Sequence, residues 1–265
     1  MFSLITHNGV YSSLLVGLLV VAPAVVANPG KTIFEEADKR DEGYGDIELL
    51  QEMWLTNSQG KQSRRVFEMK YLEGENGTGD KTLIIFKEPK DTQGTALLTH
   101  GNLAEDDDQW MYLPNLDRIK RIAPAAKTAY FVGSEFTFED LANREVEDYE
   151  YQLIEDTQYK GMPVHIVELI PTDAKSGYSK QIAWIDADEY RLHKVEFYDK
   201  KDALQKTLLF EDYRQYIGKY WRAHRTLMTN HQTNKQTELK VPEEYAFQQG
   251  LAERDFAKSQ LKRSR

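Results

Sequence analysis

The chain has 265 residues, 40% hydrophobic and 11% aromatic, which is enough apolar material to bury one sizeable core. Its formal net charge of -9 argues against nucleic acid as a main partner, because such partners need a dominant basic stripe. It has no cysteine, which excludes a disulfide, a thiolate nucleophile, a Cys-zinc site and a lipid-modified N-terminal Cys.

The apolar run at residues 14–26, LLVGLLVVAPAVV, has the length of a signal-peptide core, although the segment before it lacks Lys and Arg. It is shorter than the ~20 residues a membrane span requires. Val25-Val26-Ala27 suits cleavage, so residues 1–27 are expected to be a leader and residues 28–265 a single exported domain. Residues 31–42 place Ile33, Phe34 and Ala37 at helical spacing and stop at Gly43 and Gly45, which predicts a short helix.

From Asp46 the period becomes two. Strands are expected over 46–55, 64–72, 81–86 and 94–103, with turns at Asn57-Ser58-Gln59-Gly60 and over 74–79. Asn76-Gly77-Thr78 has the form of a glycosylation acceptor but suits a loop equally. The run 106–141 follows. Three acids, Asp106, Asp107 and Asp108, lead into a strand with Trp110 and Tyr112 on one face and Met111 and Leu113 on the other. Pro114-Asn115-Leu116-Asp117 has turn composition, and a basic strand with Arg118, Lys120 and Arg121 returns beside it. The aromatics of 130–138 either line a cavity or plug a core, and Glu139-Asp140-Leu141 opens a short helix. Seven more strands are expected, over 149–154, 164–170, 178–185, 192–198, 204–213, 220–230 and 233–241. The tail 251–261 is expected to dock as helix or strand. Short turns between successive strands predict a mainly β antiparallel meander with a few helices packed over its concave side.

Sequence signatures of catalysis are absent: there is no G-x-S-x-G, H-E-x-x-H or P-loop. His224 and His231, seven apart on a strand, point to opposite faces and do not share a metal. Asp106–Asp108 and Asp186-Ala187-Asp188-Glu189 read as solvated or turn acids rather than Ca²⁺ ligands. Ser134 has no histidine in a partner context. No metal, cofactor or enzymatic activity is expected, and a lipid hydrolase is the least favoured reading.

Gln109-Trp110-Met111-Tyr112-Leu113-Pro114, then Arg118–Ile122, then Gly133-Ser134-Glu135-Phe136-Thr137-Phe138-Glu139-Asp140-Leu141 resemble the bacterial outer-membrane lipoprotein-sorting-protein-like (LolA-like) family. Phe86-Lys87-Glu88-Pro89, Tyr178-Ser179-Lys180 and Trp184-Ile185-Asp186 agree with it. The resemblance implies an incomplete antiparallel β-barrel covered by short α-helices around a hydrophobic cavity. It also implies a Gram-negative periplasmic carrier of lipid or acylated lipoprotein, with transient membrane contact and an RND/MMPL-type exporter as partner. An adaptor of such a transporter that carries no lipid is the alternative. Candidate cavity residues are Met53, Leu55, Phe67, Met69, Tyr71, Phe86, Trp110, Tyr112, Phe131, Phe136 and Phe138. Arg65, Arg118, Lys120 and Arg121 are candidates for headgroup or partner contact. The basic run has a second reading, internal pairing with Asp106–Asp108.

Overall fold

The computed structural model describes residues 28–75, 77–103 and 105–263. The expected leader 1–27 and Asn76 lie outside the described residues. Helix α1 (Pro29–Asp41) begins with the Asn28 side chain accepting from the backbone N–H groups of Gly30 and Lys31, with Pro29 in the first turn. Asn28 Nδ2 also donates to the Tyr151 carbonyl at 2.6 Å, fixing where the helix starts. Ile33 and Phe34, on one helix face, are buried.

The remaining elements are strands joined by tight turns. They are β1 (Asp46–Thr56), β2 (Gln62–Leu72), β3 (Lys81–Glu88), β4 (Ala96–His100), β5 (Asp108–Leu113) and β6 (Arg118–Arg121). After a long crossing segment come β7 (Tyr149–Tyr159), β8 (Met162–Pro171), β9 (Tyr178–Asp186), β10 (Leu192–Asp199), β11 (Leu204–Tyr216), β12 (Tyr220–Asn230), β13 (Lys235–Lys240) and β14 (Ala246–Phe247). They form one antiparallel sheet in the order β6-β5-β4-β3-β2-β1-β13-β12-β11-β10-β9-β8-β7, with β14 pairing the start of β1. β13 pairs the second half of β1, from Glu52 to Thr56. Among the described residues the ends of the path, β6 and β7, do not pair with each other, so the curved sheet stays open. These edges carry charge of opposite sign: Arg118, Lys120 and Arg121 on one, and Glu150, Glu155 and Asp156 on the other. Charged edges resist pairing with a foreign strand.

Both faces of the β3–β5 region are buried. Ile84, Phe86 and Leu97 pack on the concave side with Met53, Phe67 and Phe131. Leu83, Ile85, Leu98, Trp110 and Tyr112 pack on the convex side, where Phe256 and Leu261 of the tail cover them. Two corrections follow. The tail does dock, but as 3-10 turns (Glu253–Phe256, Lys258–Arg263) on the outer face and not as helix or strand. Residues 137–143 form turns, not a helix, yet they do cross the concave side.

The crossing segment is a plug. Phe131 N–H donates to the Phe136 carbonyl at 2.7 Å, and Tyr130 bridges to Thr137, so 130–137 makes a narrow loop. Val132 (φ 45°) and Gly133 (φ 71°) turn it; a β-branched residue is strained in this left-handed region. The Arg65 guanidinium donates to the Val132 carbonyl and so braces that turn. Phe131 and Phe138 enter one half of the core and Phe136 the other.

A buried polar network anchors the plug to four strands. Lys206 of β11 is 0% exposed and its Nζ donates to Asp140 Oδ2 at 2.6 Å. Asp140 also accepts from Tyr178 Oη at 2.7 Å and from the Thr137 N–H at 2.7 Å. Lys206 Nζ lies 5.1 Å from the Tyr178 ring centroid and 5.2 Å from that of Phe197. Asn230 of β12 donates to Glu135 Oε2 at 2.7 Å, and the Glu135 N–H donates to Thr237 Oγ1 of β13 at 2.8 Å.

Removing one member of a buried ion pair strands the other charge, at a cost of about 3–5 kcal/mol. Asp140→Asn is therefore expected to lower urea-unfolding stability by about that much. Lys206→Met combined with Asp140→Leu should cost less than the two single changes added together. Additive losses in the double-mutant cycle would show that the two residues do not act as a pair.

Candidate functional site

The concave face does not close on itself. Side chains that alternate inward along β1 and β2 (Ile47, Gln51, Met53, Phe67, Met69, Tyr71) face Phe197, Leu208, Phe210 and Leu239 across the curve, with Phe131 and Phe136 of the plug as floor. They enclose an inner cavity of about 580 Å³. A second, outer cavity of about 550 Å³ lies under α1, between Phe34, Ala37 and Asp38 of the helix and Tyr190, Arg191 and Trp221 of the sheet. The two share Asp41, Arg144, Leu192, Phe210, Tyr213, Trp221 and Arg222 as lining, and so meet at a common neck.

Phase along β11 explains part of this lining. Lys206, Leu208 and Phe210 occupy one face, and the left-handed backbone at Asp212 (φ 54°) shifts the phase so that Tyr213 faces in as well. Arg222 stands at the start of β12, and its Nη1 donates to Asp41 Oδ1 at 2.5 Å and to the Trp221 carbonyl at 3.0 Å. Its guanidinium carbon lies 5.5–5.8 Å from the ring centroids of Tyr44, Tyr220 and Phe247, a cationic centre in an aromatic surround. Arg144 donates to Gln181 Oε1 at 3.2 Å and lies 5.7 Å from the Tyr149 ring. Burial pushes the Tyr71 hydroxyl up to about 12 and raises those of Tyr213 and Tyr245, so these phenols stay neutral.

The candidate cavity residues fall into three places. Met53, Phe67, Met69, Tyr71, Phe131 and Phe136 line the inner cavity. Leu55, Phe86 and Phe138 belong to the packed cluster at its closed end, and Phe138 also faces a separate cleft. Trp110 and Tyr112 are corrected: they lie on the convex face beneath the tail, and Met111 holds the concave position of that strand. Alternation groups these residues properly, but with both faces apolar it gives no sign of which face is concave.

The candidate basic residues separate in the same way. Arg65 braces the plug turn, and Arg121 Nε donates to Asp108 Oδ1 at 2.9 Å, an internal pair. Arg118 and Lys120 are exposed on edge strand β6. Lys127 pairs with Asp173 and lies 3.5 Å from Asp106, in a cleft of about 440 Å³ between the β4–β5 loop and the β8–β9 turn. Ser134 is 1% exposed and its Oγ donates to the Phe131 carbonyl at 2.7 Å, a structural bond in the plug. Among the described residues, no group of acids and histidines is arranged to hold a metal ion.

Carboxylates gather where the crossing segment meets α1 and the loop before β3. Burial, with Asp80, Asp148, Asp38 and Asp107 nearby, pushes Glu145 up to about 7. Burial likewise pushes Asp107 up to about 6, although it accepts from the backbone N–H groups of Asn143 and Asn102.

A family model described as an uncharacterized protein matches residues 78–263. Among solved structures, the chain is similar to a domain assigned as an outer membrane lipoprotein-sorting protein from Vibrio parahaemolyticus. The two are 49% identical over 88% of this chain and 98% of that one, with a TM-score of 0.85. It is also similar to a DUF1329 family protein from Desulfovibrio piger, at 28% identity over 89% of this chain and 100% of that one, TM-score 0.82. A LolA superfamily protein from Nitrosomonas europaea shares the fold at 20% identity over 88% of this chain and 100% of that one, TM-score 0.68. No curated protein matches the sequence.

The raised Glu145 makes the junction at α1 sensitive to pH. The folded protein holds this proton to higher pH than an unfolded glutamate, which titrates near 4.5. Its contribution thus favours folding fully below about 4.5 and is lost as pH rises through about 7. Glu145→Gln should melt higher than wild type at about pH 8, with the gap closing toward about pH 5. Asp107 acts in the same direction, so some slope remains in the variant. Parallel melting curves for the two proteins across this range would refute the assignment.

Proposed function

The chain belongs to the LolA-like, outer-membrane lipoprotein-sorting-protein-like family, and on that premise we propose that it is a non-enzymatic periplasmic carrier of lipid or acylated lipoprotein. The observation that carries this reading is the inner cavity of about 580 Å³, walled by Met53, Phe67, Met69, Tyr71 and Leu208. Its size lies within the ~300–1,000 Å³ usual for ligand pockets. Each methylene moved from water into such a space gains about 0.8 kcal/mol. A twelve-carbon chain thus gains roughly 10 kcal/mol before the costs of association are subtracted. Methionine at two of these positions suits cargo of variable shape, because its unbranched side chain adapts to irregular surfaces.

A transporter adaptor without cargo has no use for an unfilled apolar interior, and this cavity favours the carrier over the adaptor. We place an RND/MMPL-type exporter among the partners on the basis of the sequence resemblance. Of the four candidate basic residues, Arg118 and Lys120 on β6 are the two that stay exposed without an internal role, available for an acidic partner surface or anionic membrane.

Native mass spectrometry of the protein purified from its own periplasm is expected to find an acylated species bound. Met69→Glu places a charge on the cavity wall at a half-buried position, and should remove the bound mass while the protein still folds cooperatively. An apo mass for wild type, with no lipid taken up from donor vesicles, would overturn the carrier and promote the adaptor. Charge reversal at Lys120 should weaken vesicle or exporter association without changing the melting temperature; unchanged association removes β6 from the contact surface.

A further inference from the structure

The neck between the two cavities has more cationic and donor capacity than the fold uses. The outer cavity is ringed by five basic residues (Arg40, Arg144, Arg191, Lys219, Arg222) against three acidic ones, in a chain whose net charge is -9. Arg40 and Arg191 have carboxylate partners, Glu36 and Asp186, at 2.7 and 2.8 Å. Arg144 differs: its hydrogen bond goes to the neutral amide of Gln181, and among the described residues no carboxylate lies within ion-pair distance of it. Arg222 is bound to Asp41, but that carboxylate is 51% exposed and is a partner an incoming anion can replace.

The third observation is Tyr151. The residue is 6% exposed and lines the outer cavity, its ring tilted at 41° to that of Phe34 of α1 with centroids 4.9 Å apart. Its hydroxyl is the one buried side-chain polar atom without a hydrogen-bond partner among the described residues. A buried unsatisfied hydroxyl is costly, typically about 1–3 kcal/mol, and a water or a ligand atom is needed to complete it.

Taking the carrier reading as its basis, we propose that this neck binds the anionic headgroup of the cargo, a phosphate or a carboxylate. Its donors are Arg144 and Arg222 of the neck, with the Tyr151 hydroxyl on the outer-cavity side. The acyl chain then runs into the inner cavity over Met69 and Leu208. Guanidinium groups match such oxyanions through paired N–H donors; Arg144 is exposed and Arg222 half-buried, so the first meets the head from the solvent side. The site fixes cargo polarity: the head stays toward α1 and the tail toward the plug.

The test is calorimetric titration of the full folded protein with three twelve-carbon probes below their micelle concentrations: dodecyl phosphate, dodecanoate and the neutral dodecyl maltoside. Wild type is expected to bind the better anionic probe at least about tenfold more tightly than the maltoside. The stronger of the two anions identifies whether phosphate or carboxylate is the preferred head. In Arg144→Gln/Arg222→Gln the anionic-to-neutral affinity ratio should fall to near one. Tyr151→Phe removes only an unsatisfied hydroxyl, so it should melt at or above wild type while the ratio drops severalfold. Asp41→Asn, which frees Arg222, should raise the ratio. Equal affinity of wild type for all three probes, or a ratio that survives the double change, overturns the headgroup site and leaves the carrier standing. Binding of none of the three overturns the carrier itself.

Discussion

The Lys206–Asp140 pair is the constraint on which the interior depends. An ammonium with no exposed surface can sit inside a sheet protein only if an anion meets it there, and Asp140 does so from the crossing segment, not from a strand. Asp140 in turn gathers Tyr178 and the Thr137 N–H, so that one carboxylate ties β11 and β9 to the plug. With the plug held, Phe131 and Phe136 are delivered to opposite halves of the core at a fixed depth. That depth sets where packing stops and open cavity begins. The aromatics of 130–138 are therefore both of the things the sequence leaves open, a stopper at one end and a floor at the other.

Much of the architecture can be read from alternation alone. The strand positions, the meander and the opposed faces of β5 follow from period-two patterns with turn residues between them, and the helix before β1 ends close to its expected glycine stop. Similarity to solved structures agrees with the LolA-like fold anticipated from the 109–141 motif. The sense of the faces is a different matter. Leu83, Ile84, Ile85 and Phe86 are all buried, so β3 has no polar side to mark the exterior. Trp110 and Tyr112 inherit that ambiguity, which only the position of Phe256 and Leu261 in the tail resolves.

Charged residues in the interior had a signal that hydrophobic reading passes over. Lys206 shares a phase with Leu208 and Phe210, and Arg222 shares one with Tyr220 and Met228; each is an ionisable residue in an apolar register. Such a residue is costly unless something specific meets it. The conspicuous basic run 118–121 instead drew attention because it is contiguous, and contiguity places half its side chains outward on an edge strand. Arg144 gave no periodic signal, since it lies in the irregular crossing segment. Its place arises from folding that brings residue 144 beside residue 181 and onto the wall of the cavity that residue 222 also lines.

The unpaired edges β6 and β7 give the wall a mechanical property that a closed barrel lacks. A closed barrel has its girth set by strand number and stagger, and can widen only by breaking ladder bonds. Here the circumference is interrupted at one place, and what spans the gap is the crossing segment, held by single bonds: Asn143 Nδ2 to the Asp80 carbonyl, the Asn143 N–H to the Asp107 carboxylate, and Lys127 to Asp173. These ties exchange with water singly, whereas a strand ladder resists as a unit. The interruption is an expansion joint in the wall: the sheet can widen there with every backbone rung left in place.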